Sequence, residues 1–345
     1  MSSIEVKKPK ISPNTIGTHS GTFHCDELLA VFMLQCLPRF QNHELLRSRD
    51  LELLDQCDII VDVGAVFDPA KKRFDHHQST FQETFSTIRP DLATDFNIRL
   101  SSAGLIYMHY GEEVIAEILK KFDVKLTETQ MRNVFIKIYK SFIEEIDAID
   151  NGVPQFDGEP KYRINTHLSS RVKRFNGDWM DNKTPAEIDQ QFQEAKKYVG
   201  EEFLDKVQFF AISWLPARKI VEAAVDRRIE IHESGEILEL GRFCPWQEHL
   251  RDVEKEVEGL NVKFVVFNSG NDEKTDWRVQ AVPVEAGSFV CRKFLNSKWF
   301  GVRDSELEAV SGIKGARFVH ATGFIGGNQT REGAIEMAIK SLKDD

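Results

Sequence analysis

The sequence predicts an α/β fold in two domains, and three observations carry that reading. The run Cys57-Asp58-Ile59-Ile60-Val61-Asp62-Val63-Gly64 is rich in β-branched residues with little alternation. That is the pattern of a strand buried on both faces of a parallel sheet. Helical periodicities alternate with strand-like runs along the N-terminal half, as α/β layering requires. The chain has 345 residues, beyond the roughly 250–300 at which one hydrophobic core splits. The expected layout is a disordered tail over 1–14, a parallel-sheet domain over 15–183, a long helical connector over 184–228 and a smaller α/β substrate-binding domain over 229–345.

Asn14-Thr15-Ile16-Gly17-Thr18 reads as a short strand that runs into the loop Ser20-Gly21-Thr22. A helix follows. Asp26 and Glu27 place carboxylates in its first turn, where they suit the helix dipole. Leu28, Leu29, Phe32, Met33 and Cys36 form its apolar face, and Pro38 ends it. After the buried strand at 57–64, Phe67-Asp68-Pro69 starts a turn and Lys72-Arg73-Phe74 leads into Asp75-His76-His77. Ser101 to Tyr107 opens a helical region that continues over 112–121 and 127–147, closed by the turn Asn151-Gly152-Val153-Pro154. Thr184 as N-cap, Pro185 at the first helical position and Glu187 completing a capping box start the connector helix, with a break expected at Pro216. Strands are expected over 237–243, 262–267 and 277–284, and a last helix from Gly333 to Leu342 behind a glycine pair.

Composition narrows the function. The formal net charge is -10, which disfavours non-specific attraction to a phosphate backbone. It does not disfavour a nuclease, because carboxylates gathered on divalent ions are locally neutralised. Five cysteines, Cys25, Cys36, Cys57, Cys244 and Cys291, form no CxxC pair. An odd count without metal spacing suggests free thiols in a reducing compartment. Lys7, Lys8 and Lys10 stand in a polar N-terminal segment with no apolar stretch, so no secretory signal is expected. No apolar run nears the roughly 20 residues of a membrane span.

Three short clusters carry the chemistry. His19-Ser-Gly-Thr-Phe-His24-Cys-Asp26 lies between a strand and a helix, Asp62 ends the buried strand, and Asp75-His76-His77 follows in the next loop. Ligands of α/β sheets bind outside the carboxyl ends of the strands, which is where all three clusters fall. Imidazole and carboxylate ligands without thiolate suit Mn²⁺, Mg²⁺, Fe²⁺ or Zn²⁺. Asp62, at the end of a rigid strand, suits a bridge between two ions about 3.5–4 Å apart, an arrangement that serves phosphoryl transfer. Asp147 and Asp150, three residues apart, would share a helix face, and either supplies a further carboxylate. Singly, Asp62 reads as a helix cap, His24 as a core histidine and His76-His77 as surface residues. Jointly, they read as a metal centre.

These residues resemble the DHH phosphoesterase superfamily, on Asp75-His76-His77 behind a strand-end aspartate and an upstream histidine motif. Within it, three segments resemble the melanocyte-proliferating-gene (MYG) exonuclease family: Gly17 to Glu27, Phe142 to Gly152, and His320 to Ala334. The resemblance implies a DHH-type N-terminal domain. It implies that His19, His24 and Asp62 hold one metal, and that Asp26, Asp62, His76 and Asp147 or Asp150 hold a second. His77 would contact the scissile phosphate, with Asp75 orienting a histidine. Two divalent ions, Mn²⁺ first and Mg²⁺ next, are the implied cofactors. A 3'-5' RNA exonuclease of nucleus or mitochondrion, releasing nucleoside monophosphates, is the implied activity. His24 departs from the aspartate many superfamily members carry, which changes the site charge by one and bears on metal preference.

In the C-terminal half, Gly326-Gly327 before Arg331 and a helix reads as an anion cradle, with His320 just upstream. Arg163, Arg171, Lys173 and Arg174 lie near Phe175 and Trp179; Arg292, Lys293, Lys298 and Arg303 are interleaved with Phe294, Trp299 and Phe300. Cations beside aromatic rings suit RNA or single-stranded nucleic acid. Two other readings are weighed: a phosphohydrolase for pyrophosphate or a dinucleotide, which offers fewer bases to stack, and a non-catalytic RNA-binding protein with a structural ion.

Overall fold

The computed structural model describes residues 10–270, 276–285 and 287–344. The tail expected over 1–14 therefore lies mostly outside the described residues. The chain is a mixed α/β protein that divides into two compact units, one through Ala211 and one from Ile212. That division falls inside the stretch 184–228 read as a connector.

In the first unit the sheet strands are β1 (Thr15–Thr18), β2 (Glu44–Arg47), β3 (Ile59–Val61), β4 (Phe67–Asp68) and β5 (Arg73–Phe74). They run in the order β2-β1-β3-β5-β4, parallel except for the β4–β5 pair. The helices are α1 (Cys25–Cys36), α2 (Leu51–Leu54), α3 (Phe85–Ile88), α4 (Ser102–Lys120), α5 (Glu128–Ile138), α6 (Glu144–Asp150), α7 (Leu168–Lys173) and α8 (Pro185–Gln208). The parallel sheet and its buried central strand match the expectation; Ile59, Ile60 and Val61 are all buried. The short strands β2, β4 and β5 carry no clear alternation and were not expected.

Helix α1 packs against α4 and α8. The capping box predicted at Thr184 and Glu187 is present at the start of α8. α8 buries Phe192, Val199, Phe203 and Val207, so this part of the expected connector belongs to the core of the first unit. The expected 127–147 helix is instead α5, a π-helical turn over Tyr139–Ile143, and then α6. A π turn accommodates one extra residue and so resets which side chains α6 turns inward.

The second unit holds α9 (Leu215–Asp226), α10 (Arg228–Ile231), α11 (Gln247–Glu256), α12 (Asp304–Ser311) and α13 (Arg331–Leu342). Its strands are β6 (Ile237–Glu239), β7 (Phe264–Asn268), β8 (Trp277–Ala281), β9 (Ala316–Val319) and β10 (Ile325–Asn328), in the order β6-β7-β8-β10-β9. Only β6 and β7 pair in parallel. Val265 and Phe267 point to one side of the sheet with Val221, Leu250 and Val253; Phe264 and Val266 point to the other with Leu307, Ala334 and Met337. Pro216 does not break a helix. It stands in the first turn of α9 after the π-helical residues Phe209–Trp214, where a missing N–H is harmless. No helix among the described residues is long and apolar enough to cross a membrane.

Candidate metal centre

The carboxyl ends of β1, β3 and β5 each release one part of the site. After β1 comes His19, whose ring is buried. The loop then reaches His24, the exposed N-cap of α1, and Asp26 and Glu27 follow in the first helical turn, both fully buried. Both carboxylate oxygens of Glu27 accept from the His24 backbone N–H, at 2.8 and 2.9 Å. After β3 comes Asp62, with φ at +58°. This left-handed conformation is strained for most side chains but open to aspartate. After β5 come Asp75, His76 and His77.

These residues converge. His19 Nε2 lies 3.0 Å from Glu27 Oε1 and 3.3 Å from Asp62 Oδ2. His76 Nε2 lies 3.3 Å from Asp62 Oδ1, 3.2 Å from Asp150 Oδ2 and 3.9 Å from Asp26 Oδ2. Three groupings could hold an ion: His19, His24, Glu27 and Asp62; Asp62, Asp75, His76 and His77; and His24, Asp26 and Asp150. The first two share Asp62. Asp26 Oδ1, Asp62 Oδ1 and both ring nitrogens of His76 are buried without a hydrogen-bond partner. Buried polar atoms are seldom left unpaired, and acidic oxygens facing imidazole nitrogens are a donor set that fits a divalent cation.

The electrostatics agree. Burial, reinforced by neighbouring Asp62, raises the Asp26 carboxyl above its usual range. Burial likewise pushes Glu27 up to about 8 and Asp150 up to about 9. Asp62 is the exception: burial would raise it, but the His19 and His76 imidazoles 3.3 Å away hold it at about 2. Carboxyls crowded this closely disfavour one another's ionised form, and a cation would relieve that.

Asp147 and Asp150 separate cleanly. Asp147 is fully buried, and its Oδ1 accepts from the Ser101 backbone at 2.9 Å and the Ser101 hydroxyl at 2.7 Å, at the N-cap of α4. Tyr139, in the π turn, donates to its Oδ2 at 3.3 Å. Gly104 makes room: a Cβ there would stand 2.5 Å from both carboxylate oxygens. Asp147 is thus occupied by Ser101, the N-cap residue of α4, while Asp150 faces His76. Asp26 is braced in the same way, by the Ser102 hydroxyl at 2.8 Å.

Asp75 Oδ1 accepts from His77 Nδ1 at 2.7 Å and from the His76 backbone at 2.8 Å, and Oδ2 accepts from Ala65 N at 2.6 Å. Burial would raise Asp75, but the bonds from His77 and Ala65 keep it below the usual carboxylate range. Its ionised form fixes Nδ1 of His77 as the donor and leaves Nε2 for other partners. His77 itself is 60% exposed.

Two contributors were not read from the sequence as site residues. In the sequence Glu27 reads only as a first-turn carboxylate that suits the helix dipole, although its spacing of three from His24 is that of a capping box. Asn176 bonds both backbone groups of Phe23, accepting from its N–H at 2.9 Å and donating to its carbonyl at 2.8 Å. It thereby clamps the loop that carries His24 from 153 residues away, and no local pattern marks it.

The expected anion cradle of the second unit takes another form. Gly326 and Gly327 lie inside β10, which pairs on both sides, with β8 and with β9. Their peptide groups are therefore engaged in the sheet and do not form an open loop. The absent side chains admit close packing instead: a Cβ on Gly326 would meet Met337 and Leu295, and one on Gly327 would meet Phe318. Arg331 is paired with Glu239, Arg292 with Glu254 and Arg171 with Glu202 and the Tyr198 hydroxyl, so each has a partner within its own unit. His320 is exposed, bonded to Thr322 at 2.9 Å and edge-on to Phe324. Of the basic–aromatic groups, Trp299 is a core residue, whereas Trp179 is 91% exposed.

Comparison with known proteins gives the lineage. An uncharacterised protein family, UPF0160, also called the MYG1 exonuclease family, matches residues 15–342. A MYG1 protein of Caenorhabditis elegans is 48% identical over 332 residues, covering 95% of each chain. A protein named MYG1 exonuclease from Homo sapiens is 45% identical over 338 residues, covering 96% of this chain and 86% of its own. Among solved structures, a pGpG-specific phosphodiesterase from Vibrio cholerae aligns with 95% of this chain and 96% of its own at 13% identity, with a TM-score of 0.29, a likeness too low to establish a shared fold. The match spans both units and takes in every residue of the candidate metal centre, and the chain belongs to the MYG1 family.

Proposed function

We propose that this chain is a metal-dependent phosphodiesterase, a 3'-5' RNA exonuclease of the DHH type that releases nucleoside monophosphates. One observation carries the reading: Asp62 is common to two histidine–carboxylate groupings, and His76 Nε2 faces Asp62, Asp150 and Asp26 within 3.9 Å. The parallel strand order and the name of the human relative support it. His19, His24, Asp62 and Glu27 would hold one divalent ion, and Asp26, Asp62, His76 and Asp150 a second, with Mn²⁺ or Mg²⁺ suiting the donors. Bound there, the ions would neutralise charge on the phosphoryl oxygens and activate water.

The chain's own residues do the rest. Asp75 holds the His77 ring so that Nε2 can donate to an oxygen of the scissile phosphate. Asp62, kept ionised by His19 and His76, would serve both ions. Asn176 and the Glu27 capping bonds fix the loop that presents His24. Nuclear or mitochondrial residence belongs to the same proposal, and fractionation of tagged protein addresses it.

The test is degradation of RNA labelled at either end, with Mn²⁺, beside pyrophosphate and dinucleotide substrates. Stepwise loss from the 3' end, abolished in Asp62→Ala, is the expected result. Turnover of pyrophosphate alone would overturn the nuclease reading, and RNA binding without turnover in any divalent ion would overturn the enzyme.

A further inference from the structure

A cavity of about 430 Å³ opens beside the metal centre, lined by His19, His24, Asp62, Asp75, His77 and also Arg49. Arg49 is the one Lys or Arg side chain in that lining. It stands just beyond β2, and its side chain is exposed. Its Nε donates to the Ser20 carbonyl at 3.2 Å, and a terminal nitrogen lies 3.4 Å from His19 Nδ1. Neither partner is a carboxylate, and among the described residues no ion pair forms at Arg49.

Several other arginines of the same unit are neutralised by carboxylates, whereas Arg73 and Arg99 bond only to carbonyls or an amide and line no such cavity. Arg39 pairs with Glu113, Arg47 with Asp189, Arg89 with Asp91 and Glu112, and Arg171 with Glu202. Arg49 is oriented by a carbonyl and a ring nitrogen but not neutralised. A guanidinium has five N–H donors, and these two contacts leave most of them open to the cavity. A forked cation of that kind matches the paired oxygens of a phosphoryl group.

The geometry points to Arg49 as the phosphate-binding arm of this cavity, taking non-bridging oxygens of a phosphoryl group that lies beside His19 and Asp62. The inference deepens the phosphodiesterase reading and rests on it for the identity of the substrate. The competing role is structural, with Arg49 only bracing the loop at Ser20 and His19.

Calorimetric titration of Mn²⁺-loaded protein with inorganic phosphate separates the two, using wild type, Arg49→Ala and Arg49→Lys. Metal content and melting temperature are measured on the same samples. Arg49→Ala should weaken phosphate binding roughly 10–100-fold, the loss of a charged hydrogen-bonding pair. Arg49→Lys should fall between, and metal content should stay at the wild-type level. Unchanged phosphate affinity in Arg49→Ala overturns the assignment, as does loss of metal in proportion to loss of phosphate. The KM and kcat of Arg49→Ala on labelled RNA give a separate reading. Wild type that cleaves RNA, with an Arg49→Ala KM equal to its own, overturns the role of Arg49 and leaves the nuclease standing. Wild type that binds phosphate through Arg49 but cleaves no phosphodiester overturns the nuclease and leaves the anion site.

Discussion

At the scale of single residues, the two aspartates of α6 make the sharpest contrast. Both are acidic and three apart, yet one caps a helix and the other faces His76. Asp150→Asn should weaken Mn²⁺ binding at least roughly 10-fold, the lower bound known for mutations that touch even the outer shell of a metal site. Its melting temperature without metal should change little. Asp147→Asn should do the reverse: it disturbs the Ser101 cap and destabilises by about 1–3 kcal/mol, while the Mn²⁺ affinity of the folded protein stays near wild type. Calorimetric titration and thermal unfolding of both variants distinguish the roles, and a swap of the two phenotypes would reverse the assignment. Asp75→Asn poses a different question. It keeps the shape but weakens the hold on His77, so kcat on RNA should fall while metal content is retained.

At the scale of elements, three strand ends and one helix start supply almost every candidate ligand, and each is braced by a neighbour. Ser101 and Ser102, at the start of α4, hold Asp147 and Asp26. The π turn over Tyr139–Ile143 places the Tyr139 hydroxyl on Asp147. Asn176, in the turn that follows α7, bonds both backbone groups of Phe23. Asn176→Ala should therefore loosen the His19–His24 loop and lower metal affinity roughly 10-fold, the low end of the range for outer-shell mutations. Hydrogen exchange of residues 20–24 should quicken in the same variant. Unaltered exchange there would remove the clamp from the account of the site.

For the whole molecule, the candidate metal centre is a cluster of buried carboxyls that a cation would relieve. An ion that binds only the folded state stabilises it by about 2.7 kcal/mol at a hundredfold excess over Kd. Mn²⁺ should raise the melting temperature of the wild type, chelator should reverse the gain, and Asp62→Ala should abolish it. The pH dependence has a definite sign. Burial would lower the His19 imidazole, but bonds to Asp62 and Glu27 raise it to about 10. Without metal, its contribution to stability is fully present below its ordinary value near 6.5 and is lost as pH rises through about 10. A metal ligand must be neutral, so ion binding displaces that proton. Mn²⁺ affinity should climb with pH across the neutral range, and the binding heat should vary with the ionisation enthalpy of the buffer. A buffer-independent heat would show that no proton leaves.

The sequence by itself determined the local chemistry. A β-branched run ending in Asp62, the histidines on either side and the Thr184 capping box depend on residue type and spacing over a few positions, and all are present in the fold. Contacts between distant segments were decided only by tertiary structure. Asp147 and Asp150 are equivalent in sequence until Ser101 and His76 arrive from elsewhere to claim one each. Gly326 and Gly327 read as a loop until β8 and β9 pair with them on both sides. Arg171, Arg292 and Arg331 look free until Glu202, Glu254 and Glu239 pack beside them. Arg49 differs from those arginines in one respect, that among the described residues it forms no ion pair. The physical reason is common to all of these: a hydrogen bond or ion pair depends on distance in space, and short-range spacing in the chain reports that distance only within a helix turn, a strand or a loop.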